Sequence, residues 1–387
     1  MLHLSASASL LLVFHLFSFI VSHGGRHSLQ DVVPEGAQSD AASAKQHLHH
    51  GSMESRHIQG QDLGAHSGFR PIFFMHGIND YAVSGDRLRA EVQRLHKETR
   101  WIGINLYEGP PKGLKNLGSL TNLNIQVKGV YNFIKQEIAK DPDAFADGFN
   151  LICHSQGSLV CRGLVSFYGD MDVKAFISLA GPQMGVASYG SIADHLPGFV
   201  YDLVSRHGIY SSLLQTTLSF AGYFVDMTKY EQYQKNSLYL APLNNQYPLT
   251  RCTFKLNGGC FPRDPSPGCI RDGLSCAWPQ SRRTNRNPAL KENFAALQTA
   301  AFFGSPQDGL IVPWQSTVWG YYSLGSNAAS SAPVMLPYNK TEVGRQDLVP
   351  LQAMLQSGQA SLHVVSNIPH TGWLSADTVQ HYIDYLK

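Results

Sequence analysis

The stretch Asn150-Leu-Ile-Cys-His-Ser-Gln-Gly-Ser-Leu-Val-Cys-Arg-Gly163 decides how this chain folds. The apolar run from Phe149 to Cys153 has the length of a buried strand and stops at His154-Ser155-Gln156-Gly157. Leu159, Val160, Leu164, Val165 and Phe167 follow at helical spacing. A strand therefore turns sharply into a helix, with Ser155 at the apex. Such a turn lifts the serine hydroxyl clear of the sheet. It also aims the first amides of the helix at the space above, where a developing oxyanion would be stabilised.

The flanking sequence repeats the strand-then-helix alternation. Pro71 to Met75 is a buried-type strand that ends at His76-Gly77-Ile78-Asn79-Asp80. Residues 85 to 97 place Leu88, Val92 and Leu95 on one helical face, and Trp101 to Leu106 is a second strand. Thr121 to Lys140 is a longer amphipathic helix closed by Asp141-Pro142. Val173 to Ala180 is the strand after the central helix. A helix over 289–298 leads into the strand Thr299 to Phe303, and Ser361 to Ser366 is the last strand. A terminal helix is expected over Ser375 to Leu386, with Ser375 as its N-cap. Strands alternating with helices at these lengths predict a mostly parallel sheet covered on both faces.

The chain has 387 residues, 43% of them apolar, enough for one large core. A formal net charge of only +2 gives no electrostatic footprint for nucleic acid. Leu10 to Val21 is a short apolar run followed by small residues, so residues 1–24 are read as a secretory signal; a signal anchor is the rival reading. Residues 25–67 are rich in His, Ser, Gly and Gln and too poor in apolar residues to offset the entropy of ordering. The folded unit is expected over 68–387, with a cap or insertion over 186–288. Leu203 to Phe224 is rich in Leu, Tyr and Phe and reads as helices over the sheet edge, either acyl pocket or ordinary core. Cys252, Cys260, Cys269 and Cys276 fall in a Gly- and Pro-rich excursion and predict two local disulfides of undetermined pairing, with zinc as the rival. In a secretory compartment Asn339-Lys340-Thr341 is a usable glycosylation sequon.

A serine hydroxyl needs a general base, and the base needs a third group to hold its tautomer. On a parallel sheet of this kind the order is serine, acid, histidine, each beyond the carboxyl end of a strand. Asp308 sits on the tight turn after the strand 299–303, where Gly309 lets the turn close. Of the later histidines, His363 falls inside a strand and His381 inside the terminal helix, which leaves His370 in the loop past the last strand. His154 is read as structural or pocket-lining. The oxyanion amides are assigned to Gln156, directly after the nucleophile, and to Ile78, in the loop after the first strand. The chemistry needs no metal or organic cofactor.

Five ordered stretches carry a resemblance: FFMHGIND (73–80), NLICHSQGSLVCRGLV (150–165), FISLAGPQMGV (176–186), DGLIVPWQSTVWGYYS (308–323) and HTGW (370–373). In these the chain resembles the palmitoyl-protein thioesterases, in particular their lysosomal thioesterase 2 branch. The resemblance implies an α/β-hydrolase fold, here expected to carry a helical, Cys-rich cap insertion, with fatty acyl thioesters as substrates and a lysosomal address within the secretory pathway. It carries nucleophile, acid and base onto Ser155, Asp308 and His370, and the oxyanion amides onto Ile78 and Gln156. Membrane contact is expected to be peripheral at most. Ser158 departs from the family's second glycine, and the insert at about 246–288 is longer and richer in cysteine. Cys153 and Cys161 flank the nucleophile, either bridged or as two buried thiols. The apolar residues of 203–224, with Trp314 and Trp319, are candidates to hold the acyl chain. A lipase or carboxylesterase on the same triad, and a catalytically silent binding protein of the same fold, are the alternative readings.

Overall fold

A computed structural model describes residues 69–106, 117–188, 204–246, 255–256, 259–260 and 287–387. The expected signal, the tail and Cys252, Cys269 and Cys276 lie outside the described residues, as does the side chain of Cys260.

Six strands form one sheet: β1 Ile72–Met75, β2 Trp101–Gly103, β3 Phe149–His154, β4 Val173–Leu179, β5 Thr299–Gly304 and β6 Ala360–Val364. Their spatial order is β6-β5-β4-β3-β1-β2, and every pairing is parallel. The helices that cover it include α1 Asp86–Leu95, α2 Leu123–Lys140, α3 Gln156–Phe167, α4 Ser212–Thr217 and α5 Pro288–Ala295. The chain runs outward from β1 to β2, then returns to lay β3 on the other side of β1. A strand order that reverses in this way opens a crevice at the carboxyl ends of the two central strands. β1 delivers His76-Gly77-Ile78 to that crevice, and β3 delivers Ser155.

Alternate residues of the central strands go to opposite faces, as the pleat requires. Ile72, Phe74, Ile152, Ile177, Ala301 and Phe303 pack with Leu88 and Val92 of α1 and with Trp373, Val379, Tyr382 and Leu386. Phe73 turns the other way, against Phe133, Phe145 and Phe149. Phe176 and Phe302 meet edge to face on the same side. Both faces are closed, which is why these strands read as unbroken apolar runs.

Two expectations need correction. The C-terminal segment is not an α-helix: it forms two 3₁₀ turns, Ala376–His381 and Ile383–Leu386. Thr378, Val379, Tyr382, Ile383 and Tyr385 are poor helix formers. The Thr378 hydroxyl also donates to the carbonyls of Trp373 and Ser375, competing with the helical ladder. Ser375 stands at the N-cap position but makes no side-chain capping bond; its hydroxyl donates to the Asp377 carboxylate. Trp319 is not available to an acyl chain either. It is fully buried among Phe294, Phe302 and Tyr338, with the Arg162 guanidinium over its ring.

Candidate active site

Ser155 adopts φ 54° and ψ −129°, a conformation that side-chain-bearing residues rarely take. The strand before it and the helix after it impose this geometry. Ser155 N–H donates to the Leu179 carbonyl of β4, and Ser155 O accepts from Ser158 N. Gly157 makes the turn possible. A Cβ there would stand 2.3 Å from the His76 carbonyl oxygen and 2.6 Å from that of Met75. Ser158 fits because Gly181 faces it: a Cβ at 181 would lie 2.2 Å from the Ser158 Cβ. The Ser158 hydroxyl donates to the Cys153 carbonyl at 2.7 Å, so the departure at this position adds a bond across the elbow. Cys153 and Cys161 form a disulfide with a Cα separation of 6.6 Å, tying the strand end to the second turn of α3.

Three side chains from three strand ends converge. Ser155 Oγ lies 2.8 Å from His370 Nε2. His370 Nδ1 lies 2.9 Å and 3.0 Å from the two oxygens of Asp308. A carboxylate only accepts, so Nδ1 carries the proton and Nε2 is free to accept from the serine hydroxyl. Asp308 is held in turn: its Oδ1 accepts from the amides of Leu310 at 3.0 Å and Ile311 at 2.7 Å. The Asp308 side chain is fully buried and that of His370 nearly so. A backbone bond from His370 N–H to the Asp308 carbonyl, 2.9 Å, joins the two loops directly.

The loop after β1 passes beside Ser155. A Cβ on Gly77 would sit 3.0 Å from the Ser155 Cβ, tighter than ordinary contact, so the glycine lets the backbone run close without pressing on the serine. His76 Nδ1 donates to the Gly77 carbonyl at 2.8 Å, and Asn79 N–H donates to Ser119 Oγ at 2.6 Å, fixing the loop on both sides of Ile78. The Gln156 side chain holds the helix start in the same way. It donates to the Ser119 carbonyl at 2.7 Å and accepts from the Tyr223 hydroxyl at 3.2 Å. Gln126 Nε2 donates to the carbonyls of Ser119 and Thr121. Ser119, Gln126 and Tyr223 carry no motif, and nothing in the sequence marks them.

His154 is buried and turned away from the hydroxyl. Its Nε2 lies 3.0 Å from the His370 carbonyl oxygen, and its ring centroid is 4.9 Å from that of His370. Burial, with the neighbouring His370 ring, pushes its pKa down to about 3. Burial likewise lowers the pKa of His76.

Near the loop after β4, Met184, Val225, Met227, Tyr321, Leu324 and Leu336 contribute to a mainly apolar cavity of about 220 Å³. In the 204–224 stretch Leu214, Phe220 and Tyr223 are core, while Val204, Ile209, Tyr210 and Phe224 border a more open cavity of about 410 Å³. Asn339 is exposed at the surface. Among the described residues no group of three or more His, Cys, Asp or Glu side chains is arranged to hold a metal ion. Among them no helix is long and apolar enough to cross a membrane.

The sequence model of one family, described as palmitoyl protein thioesterase, matches residues 71–370. The chain is similar to the lysosomal thioesterase PPT2-B of Xenopus laevis, 26% identical over 82% of this chain and 92% of that one. It is also similar to the human lysosomal thioesterase PPT2, 27% identical over 81% of this chain and 86% of that one. Among solved structures, the Bacillus licheniformis lipase BlEst2 aligns over 86% of this chain and 96% of its own, with a TM-score of 0.39 and 11% identity.

Proposed function

Because this chain belongs to the palmitoyl-protein thioesterase family, we propose that it is a serine hydrolase that cleaves long-chain fatty acyl thioesters, with Ser155 as nucleophile, His370 as base and Asp308 as the orienting acid. The observation that carries the reading is the unbroken chain from Ser155 Oγ to His370 Nε2, 2.8 Å, and from His370 Nδ1 to Asp308, 2.9 Å.

Ser155 Oγ attacks the thioester carbonyl carbon while its proton passes to His370 Nε2. The carbonyl π electrons move onto oxygen, and the amides of Ile78 and Gln156 receive that charge. Collapse re-forms the carbonyl and expels sulfur, which takes the proton from His370 and leaves as a thiol. Water then attacks the acyl-serine, giving its proton to the same nitrogen, and the free acid departs as Ser155 recovers its hydrogen. The acyl donor is an S-acylated protein or peptide, or an acyl-CoA. The apolar cavity beside Met184 is the candidate site for the chain. The lysosomal relatives support action in the lysosome; a secretory route to it would make the sequon Asn339-Lys340-Thr341 a site for a glycan.

The test has two arms. A fluorophosphonate probe should label the wild-type protein and fail to label Ser155→Ala; wild-type protein that does not label would favour a silent binding protein. Palmitoyl-CoA should then be hydrolysed with a higher kcat/KM than p-nitrophenyl palmitate or triacylglycerol. Preference for the oxygen esters would assign a lipase or carboxylesterase instead.

A further inference from the structure

We infer that His154 is a positioning residue for the catalytic histidine: it holds the His370 backbone in place by donating from Nε2 to the His370 carbonyl. The inference rests on the triad proposed above.

The tautomer follows from the partner. A carbonyl oxygen only accepts, so at 3.0 Å from His370 O the His154 Nε2 must carry the hydrogen. The His154 Nδ1 is then an unprotonated acceptor, and it is buried with no partner. Burying that nitrogen unpaired carries a cost, which the bond from Nε2 offsets. Nε2 fastens the one peptide carbonyl that belongs to the catalytic base.

The His370 main chain is thereby held at both ends. Its N–H donates to the Asp308 carbonyl at 2.9 Å, and its C=O accepts from His154. His370 opens the 3₁₀ turn His370–Leu374, and its neighbours Asn367, Ile368 and Thr371 are exposed or half-buried. The imidazole reaches Ser155 and Asp308 through two rotatable bonds from that backbone. A shift of the carbonyl therefore moves both catalytic hydrogen bonds together. The ring contact at 4.9 Å limits tilting of the imidazole toward His154.

The position next to the base also restricts what the residue can be. His76, His370 and Asp308 are the titratable groups that act on His154. His370 must carry a positive charge during each turnover, so a second cation packed against it would oppose the reaction. Burial keeps His154 neutral through the working range, and it donates without adding charge.

Two variants separate positioning from mere filling. His154→Gln keeps a neutral donor of similar reach; His154→Phe keeps the volume and removes the donor. With palmitoyl-CoA, His154→Phe should lose roughly 10- to 100-fold in kcat, the effect of losing the side-chain donor that fixes the carbonyl of the base where it opens the 3₁₀ turn His370–Leu374. KM should stay within about twofold. His154→Gln should recover most of the loss. The rate of fluorophosphonate labelling should fall in parallel, since it reports the nucleophile without the acyl substrate. Wild type and His154→Gln should share the acid limb of the kcat/KM pH profile. Wild-type labelling rate in His154→Phe, or a loss in His154→Gln as deep as in His154→Phe, would overturn the inference. Absence of labelling in the wild type would instead overturn the triad.

Discussion

Replacing Gly157 by alanine adds one methyl group at the point where the elbow meets the loop after β1. That methyl would lie 2.3 Å from the His76 carbonyl oxygen and 2.6 Å from that of Met75, where ordinary contact begins near 3.4 Å. One backbone must retreat by about 1 Å, because neither obstacle is the end of a flexible side chain. Both movable pieces carry the chemistry. The His76–Ile78 loop supplies one proposed oxyanion amide, and the start of α3 carries Ser155 and supplies the other. A misplacement of about 1 Å costs on the order of 100-fold in rate, and loss of one oxyanion donor costs about 10²–10³. We expect Gly157→Ala to lower kcat on palmitoyl-CoA by at least ~100-fold, with a loss of about 1–3 kcal/mol in stability from overpacking. Thermal unfolding shows whether the variant is folded, and steady-state kinetics with fluorophosphonate labelling read the site. Gly208→Ala is the control. Gly208 has φ +72° and nothing within 4 Å of an added Cβ, so that change strains one exposed residue and leaves the rate alone. A folded Gly157→Ala protein with wild-type kcat and labelling rate would refute the argument that this contact sets the oxyanion geometry.

Asp308→Asn should leave the fold intact and lower kcat by about 10⁴, because the amide favours the wrong tautomer of the base; a loss under tenfold in steady-state kinetics would remove Asp308 from the triad. The Cys153–Cys161 disulfide closes a short loop, with a sequence separation of 8. Replacing both cysteines by alanine should cost roughly 2–3 kcal/mol by the chain-entropy relation, read as a lower urea midpoint. An unchanged midpoint would show that helix packing alone holds the elbow. His154 gives stability a pH dependence. Its pKa falls from 6.5 in the unfolded chain to about 3 in the fold, so the unfolded state binds more protons between those values. Its contribution is complete above about pH 6.5 and diminishes as pH falls toward 3, by roughly 2 kcal/mol at pH 5. Urea titrations of the wild type and His154→Gln from pH 7 to 4 should show a shallower loss in the variant, and parallel curves would contradict it.

The strands were legible because each is an apolar run flanked by turn residues; Ile72–Met75, Phe149–His154 and Thr299–Gly304 differ from their expected boundaries by a residue or so. Ser155, Asp308 and His370 were legible for a topological reason: a parallel sheet sends all its strand ends to one edge, so position along the chain predicts position in the crevice. The C-terminal segment was misread because its i, i+3, i+4 pattern fits both α and 3₁₀ geometry, and side-chain bonds from Thr378 tipped the balance.

What the sequence determined by itself was the class of chemistry, since the proposed nucleophile, acid and base are read from residue type and order. The tertiary structure alone decided how those groups are held. Ser119, Gln126 and Tyr223 reach Gln156 from distant parts of the chain, and His154 meets His370 across a separation of 216 residues. Hydrogen bonds to backbone carbonyls leave no signature in sequence, because every residue has one; only the folded geometry selects which carbonyl is in reach.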